Sequence, residues 1–412
     1  MVSTMSADNT DVYGLPEAHG QQVEAPLLEV RNLKMWFPQT RGFFGRDVRY
    51  VKAVDDVSFT IRRGETFGLV GESGCGKTTV GRCVLRVYEP TSGEILYHGG
   101  ASAPHAVDLM KLNRQELKRY RQEIRMIFQD PYSSLNPRMT VAESVGEVLK
   151  VNNLATGSEI EDRVAMLLRR VGLRPEYMRR YPHAFSGGER QRIVIARALA
   201  TNPRLIVADE AISALDVSIR AQILNLLKDL QDELGLTYLF IAHDLSVIRH
   251  ICDRVSVMYV GKLVESAEAT DLYADPQHPY TEALMSAVPI HNPRLRKRKE
   301  RIRLEGEIAD PSNPPSGCYF HPRCRYAQAI CKTDAPPLRL IKTTEIAVDS
   351  AGRNIPPVGE PHYAACHFSE ELALRGVIPE AAVTGGQSTQ GVNPVNPLSK
   401  PISQAVKDQD HL

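Results

Sequence analysis

The segment Gly68–Leu85, GLVGESGCGKTTVGRCVL, decides the fold. It carries the spacing G-x-x-x-x-G-K-[ST] as Gly71, Gly76, Lys77 and Thr78, between a short apolar run and a helix-spaced stretch. Glycines at 71, 74 and 76 let the backbone turn tightly enough for several N–H groups to face one phosphate. Ser73 and Cys75 complete the candidate nucleotide-binding loop, and the helix that follows adds its positive end. Lys77 brings a mobile cation to the β- and γ-phosphates, the Thr78 hydroxyl suits Mg²⁺, and Thr79 adds a hydroxyl toward the α-phosphate. ATP and Mg²⁺ are therefore the expected ligands.

Outward from this loop, RLIVADE at 204–210 is an apolar strand closing in two carboxylates. Asp209 can hold the Mg²⁺ through water, and Glu210 can act on the attacking water. EVRNLKMWF and AVDDVSFTI alternate with a period near 2, whereas ETFGLVG and RLIVAD read as short buried strands. EDRVAMLLRRVG and SIRAQILNLLKDLQDELG have helical spacing and both end at Gly. Buried strands alternating with helices predict an α/β sheet with parallel strands at its centre. From about Pro276 proline becomes frequent (PQHPY, ADPSNPPSG, DAPPL, NIPPVGEP), and a basic run RLRKRKERIR at 294–303 reads as a solvated helix or linker.

Composition bounds the function. The 412 residues suit about two to three domains, and 42% hydrophobic with 24% charged residues is ordinary for a globular chain. Fifty basic residues against 49 acidic ones leave a net charge of +1, so no basic field recruits nucleic acid. No run approaches the ~20 apolar residues of a membrane span. The start, MVSTMSADNTDVYG, lacks the features of a secretion signal. The expectation is a cytosolic protein, free to dock on a membrane protein.

The string FSGGERQRIVIARALA, from Phe185, separates one class of phosphate-loop ATPase from the others. Ser186, Gly187 and Gly188 open an amphipathic helix whose N-terminus can receive a γ-phosphate. Here the chain resembles the ATPase subunits of ABC transporters, whose signature is usually LSGGQ. Gln129 in MIFQDPYSSLNP matches the family's Q-loop glutamine, which touches Mg²⁺ and reports to the membrane domain. SALD, Ser213 to Asp216, matches the D-loop, and His243 in FIAHDLSVI matches the switch histidine that contacts the γ-phosphate. The resemblance also implies an aromatic platform for adenine, with Tyr50 and Phe37 as candidates and Trp36 third. Three positions depart from the usual pattern: Phe185, Glu189 and Ala211 stand where Leu, Gln and Pro are common. None of them is expected to disable the chemistry.

FFGRDVRYVKAVDDVSF, YPHAFSGGERQR, DPQHPYTEALMSAVP and LEGEIADPSNPPSGCYFHPRCRYAQAIC narrow the resemblance to the oligopeptide/dipeptide importer ATPases of bacteria, as the second ATPase of an unlike pair. The implied fold is an ABC-type P-loop ATPase domain with a RecA-like α/β core, an antiparallel β subdomain and a helical signature subdomain. A small C-terminal cysteine-containing extension follows. The expected boundaries are a flexible tail over 1–26, the ATPase domain over 27–272, the extension over 273–371 and a second tail over 372–412. The implied partners are a second, non-identical ATPase, two permease subunits and, indirectly, an extracytoplasmic peptide-binding protein. This places the chain on the cytoplasmic face of the inner membrane. Ser186, Gly187 and Gly188 would then complete the partner's site, while Lys77, Thr78, Gln129, Asp209, Glu210 and His243 serve the chain's own. Nickel, glutathione or oligosaccharide cargoes remain open, as does a soluble ABC ATPase without a transport role.

Seven cysteines are present. Cys75, Cys83 and Cys252 are scattered and read as small core or loop residues. Cys318, Cys324, Cys331 and Cys366 are spaced C-x5-C-x6-C-x34-C in a Pro-rich segment poor in apolar residues. A reducing cytosol disfavours disulfides. Structural zinc favours paired C-x₂₋₄-C spacing, absent here, although His321 and His367 leave a mixed site possible. Four unrelated thiols are the remaining alternative. Four thiolates at open spacing suit a 4Fe-4S cluster, with which the resembled branch is associated in this extension. Such a cluster is expected to order residues of about 305–370 and to stand apart from ATP hydrolysis.

Overall fold

Two sheets share the architecture. In the computed structural model, which describes residues 26–41, 47–99, 106–213, 215–288, 301–342 and 361–377, strands β1 (Leu28–Arg41) and β2 (Asp47–Ile61) pair antiparallel along their length. With β4 (Ser92–Tyr97) and β5 (Val107–Asp108) they form a four-stranded antiparallel sheet of order β2-β1-β4-β5. The near period-2 pattern holds, with Leu28, Val30, Leu33 and Met35 buried. A shift of register between Val30 and Leu33 lets the alternation skip one residue.

The second sheet has eight strands in the order β11-β12-β10-β9-β3-β8-β7-β6. These are β3 (Thr66–Val70), β6 (Ile124–Ile127), β7 (Leu205–Asp209), β8 (Thr237–Ala242), β9 (Arg254–Tyr259), β10 (Lys262–Glu268), β11 (Arg339–Lys342) and β12 (His362–Ala364). Strands β9, β3, β8, β7 and β6 run parallel. Every residue of β3, β7 and β8 is buried, which is why they read as unbroken apolar runs rather than alternating ones. The helices Val141–Val151, Ser158–Arg170 and Gly187–Leu199 pack on one another through Val145, Leu149, Val164, Leu168 and Ile193. Each such side chain contributes about 1.5–3 kcal/mol by leaving water. The two helical segments expected to end at glycine do so, before Gly172 (φ 73°) and at Gly235 (φ 63°).

The C-terminal region is built into this sheet rather than appended to it. Strand β12 pairs with β10 and β11 with β12, extending the sheet antiparallel. Fully buried Glu265 fastens the seam. It accepts hydrogen bonds from the N–H groups of Gln277 (2.6 Å) and His278 (2.9 Å), and His362 Nε2 lies 2.7 Å from its carboxylate. Burial pushes His278 down to about 3, so its imidazole is neutral. Residues 372–377, expected to begin the tail, are held down instead. Leu374 and Val377 are buried, and the Val377 N–H reaches Tyr273 O at 2.8 Å. Residues 1–25 and 378–412, positions 294–300 of the basic run and Ala214 of the SALD string lie outside the described residues. Among the described residues no helix is long and apolar enough to cross a membrane.

Candidate nucleotide site

Fully buried β3 delivers the chain at Val70 into the glycine loop, and the helix Lys77–Val84 begins directly after it. Gly74 (φ 82°) and Gly76 (φ 109°) occupy the left-handed region. A methyl on Gly76 would also sit 2.0 Å from the Ala53 carbonyl oxygen, so only glycine fits. Lys77 is 4% exposed, and its ammonium donates to the carbonyls of Gly71 (2.8 Å) and Glu72 (2.9 Å) while lying 3.6 Å from Cys75 Sγ. The buried cation is thus held inside the loop it serves. Burial pushes the Cys75 thiol up, with Lys77 opposing.

Thr78 Oγ1 donates to Asp209 Oδ1 at 2.9 Å, joining the loop to the end of β7. Burial pushes the Asp209 carboxyl up, and the Thr78 hydrogen bond works against that rise. The next residue, Glu210, has a positive φ of 47°. A non-glycine residue held there is a local strain, of a kind concentrated at functional sites. One oxygen of Glu210, Oε2, accepts from Gln129 Nε2 at 2.9 Å and lies 3.1 Å from His243 Nδ1. Among the described residues the other carboxylate oxygen has no hydrogen bond, which leaves it available to accept a proton.

One cleft collects Ser73, Gly74, Gly76, Lys77, Thr78 and Thr79 from the loop with Gln129, Glu210 and His243 from three other strand ends. Gly71 and Cys75 lie beneath it, and Asp209 stands behind Thr78. Thr78, Asp209 and Gln129 form a donor set of one hydroxyl, one carboxylate and one amide oxygen, which fits a hard cation such as Mg²⁺. The cleft lining does not include Ser186, Gly187 or Gly188. These open the helix Gly187–Leu199, where Ser186 and Glu189 form a reciprocal cap. The Glu189 carboxylate accepts from the Ser186 N–H (2.9 Å) and hydroxyl (2.8 Å), and these bonds hold it below the usual carboxylate range. The departure at Glu189 therefore engages the signature serine directly. Arg190, one residue on, stacks its guanidinium 3.9 Å from the ring centre of Tyr132, linking this helix to the segment after Gln129.

The aromatic candidates separate. Phe37 is packed edge-on against Tyr88 at 5.3 Å, and Trp36 donates to Asp55 at 3.2 Å beneath the Lys52 ammonium. Tyr50 is 49% exposed. None of the three lines the cleft.

Cys318, Cys324, Cys331 and Cys366 all line one small cavity, with His321 and His367 on its wall. Burial pushes the Cys318 thiol up to about 11 and that of Cys324 to about 12, against N–H hydrogen bonds from Phe320 and Tyr326 respectively. Both histidines are engaged elsewhere: His321 Nδ1 lies 2.9 Å from Cys318 O, and His367 Nε2 lies 3.1 Å from Asp334 O. Among the described residues no three His, Cys, Asp or Glu side chains stand close enough to hold a metal ion as they are placed.

Contacts that sequence reasoning missed converge on Glu72. Its N–H donates to Tyr280 Oη at 2.9 Å, and its carboxylate receives both arms of Arg323 at 2.6 and 3.1 Å. No sequence pattern relates positions 72 and 323, which meet only because the C-terminal region folds back under the loop.

Comparison with known proteins gives the family. Residues 54–213 match the family described as ABC transporter, and 264–331 match the oligopeptide/dipeptide transporter, C-terminal region. The chain is 49% identical over 343 residues to the oligopeptide transport ATP-binding protein AppF of Bacillus subtilis, covering 83% of this chain and 97% of that protein. It is 53% identical over 318 residues to the putative oligopeptide transport ATP-binding protein YkfD of the same species, covering 77% and 93%. Among solved structures, a dimeric post-hydrolysis state of the ATP-binding cassette MJ0796 bound to ADP and Pi superposes with a TM-score of 0.51. That match has 28% identity and covers 59% of this chain and 98% of that one.

Proposed function

The chain belongs to the ATP-binding subunits of ABC transporters, in the branch with an oligopeptide/dipeptide-transporter C-terminal region, and on that premise we propose that it hydrolyses ATP to power peptide import. The observation that carries this reading is the single cleft in which Lys77, Thr78, Gln129, Glu210 and His243 meet. The names of both relatives favour peptides over nickel, glutathione or oligosaccharide cargoes. ATP-driven peptide uptake by the reconstituted transporter tests it.

In the proposed mechanism the loop N–H groups and Lys77 bind the β- and γ-phosphates. Thr78, Asp209 and Gln129 would hold Mg²⁺, which when bound would neutralise phosphate charge. Glu210 takes a proton from the attacking water, oriented by Gln129 and His243 on its other oxygen. Tyr50, the exposed aromatic, is the platform for adenine. Ser186, Gly187 and Gly188 lie off the chain's own cleft, which supports their completing a site in a second, non-identical ATPase subunit. Exposed Phe128 and Tyr132 (65% exposed) flank Gln129 and offer apolar anchors for permease helices. The chain then works peripherally on the cytoplasmic face of the inner membrane.

The four-cysteine cavity is proposed to take a 4Fe-4S cluster. Four thiols on one cavity match the ligand count, and N–H groups of Phe320 and His321 toward Cys318, of Tyr326 toward Cys324 and of Phe368 toward Cys366 favour the thiolate form. When bound, such a cluster supplies four sulfur–iron bonds that tie the segment together. Anaerobically purified protein is expected to be brown, with about four iron and four sulfide per chain, and Cys331→Ser is expected to lose both. Stoichiometric zinc in a colourless protein, or no metal at all, would contradict the assignment.

A further inference from the structure

The C-terminal extension meets the phosphate loop at Arg323, whose guanidinium reaches the Glu72 carboxylate. We propose that Arg323 is a positioning residue of the nucleotide site, clamping the phosphate loop through Glu72 and neutralising a carboxylate that would otherwise face the triphosphate.

Three side chains fix Glu72. Its carbonyl receives the Lys77 ammonium, its N–H goes to Tyr280, and its carboxylate takes the bidentate guanidinium. Two of the three come from residues C-terminal to β10. The Arg323 side chain is 6% exposed, whereas that of Glu72 is 25% exposed and lines the cleft. Its planar fork matches the carboxylate in a way a lysine cannot. Beneath it, Tyr259, Tyr280 and Phe320 form a buried ring cluster with centroids 4.7 to 5.3 Å apart, so the loop rests on a stiff aromatic floor to which the extension contributes Tyr280 and Phe320. Arg323 ends the 3₁₀ turn His321–Arg323, one residue before Cys324. Whatever holds Cys318 and Cys324 therefore also sets where the guanidinium points.

Electrostatics gives the consequence. With Arg323 present the Glu72 carboxylate is paired. Without it, a partly buried negative charge faces the phosphates, and like charges in a low-dielectric cleft repel strongly. ATP carries more charge than ADP and suffers more.

The proposal rests on the ATP site described above, and one titration series with the full-length chain separates the two. Arg323→Gln is expected to bind ATP about tenfold more weakly, within the usual range of coupling between linked sites, with a smaller loss for ADP. Adding Glu72→Gln to that variant removes the unpaired charge and is expected to restore most of the lost ATP affinity, which a merely structural role would not do. Unchanged ATP affinity in Arg323→Gln, or no rescue by the second substitution, overturns the proposal. If Arg323→Gln does not fold, Arg323→Lys carries the test: it keeps the charge but loses the fork, and wild-type ATP affinity in it overturns the clamp. Lys77→Ala, measured alongside, tells which reading has failed. If it loses ATP while Arg323→Gln keeps it, only the clamp falls; if both keep it, the site reading falls as well.

Discussion

Glu210→Gln is expected to lower ATP hydrolysis by about 10²–10⁴-fold while ATP still binds, the range removed with a positioned general base. The amide has the shape of the carboxylate and can still meet Gln129, so the cleft keeps its form. What disappears is the carboxylate oxygen that accepts the proton. The phosphate-binding groups, Lys77 and the loop N–H donors, are untouched, so the variant should accumulate with ATP bound. Phosphate release from the assembled transporter, read beside ATP retention, checks both halves. Hydrolysis at the wild-type rate would show that Glu210 is not the base.

Lys77→Ala should act at the earlier step. Its ammonium makes two hydrogen bonds to loop carbonyls, and a hydrogen bond to a charged group is worth roughly 1.5–3 kcal/mol. Truncation takes the ammonium from the Gly71 carbonyl, leaves Glu72 O with the Cys75 N–H alone, and removes the fixed cation from the phosphate site. ATP and ADP are both expected to bind at least about tenfold more weakly, since 1.4 kcal/mol is a factor of ten. Calorimetric titration of the full-length chain measures this, and wild-type affinity would contradict the role of the loop. The two variants thus divide binding from turnover.

Much of this was legible in the sequence because the chemistry is local. Gly71 to Thr79 form one continuous segment, a glycine loop running into the first turn of a helix, and these contexts are set by short apolar runs and glycines. The ends of β7 and β8 were equally readable, since Asp209, Glu210 and His243 follow buried strands that can finish only at one edge of a parallel sheet. The two aromatic candidates were not separable, because Phe37 and Tyr50 occupy the same pair of strands, and only tertiary packing sets Tyr88 against Phe37 and leaves Tyr50 exposed. The C-terminal region was the least legible. Nothing in its Pro-rich composition announces β11 and β12, which are short: β12 owes its place to pairing with β10 and to the buried Glu265, and β11 to pairing with β12. The ion pair between Glu72 and Arg323 joins residues 251 apart, beyond the reach of any periodicity.

This chain spends ATP to drive peptides across a membrane. The most direct measurement is uptake of a labelled peptide into proteoliposomes holding the chain, a second ATPase subunit and two permease subunits, with the peptide-binding protein supplied outside. Uptake is expected to require ATP and Mg²⁺, to stop when this chain is omitted, and to be abolished by Glu210→Gln. Uptake that persists at full rate with Glu210→Gln, or ATP hydrolysis that never moves peptide in the complete assembly, would contradict it.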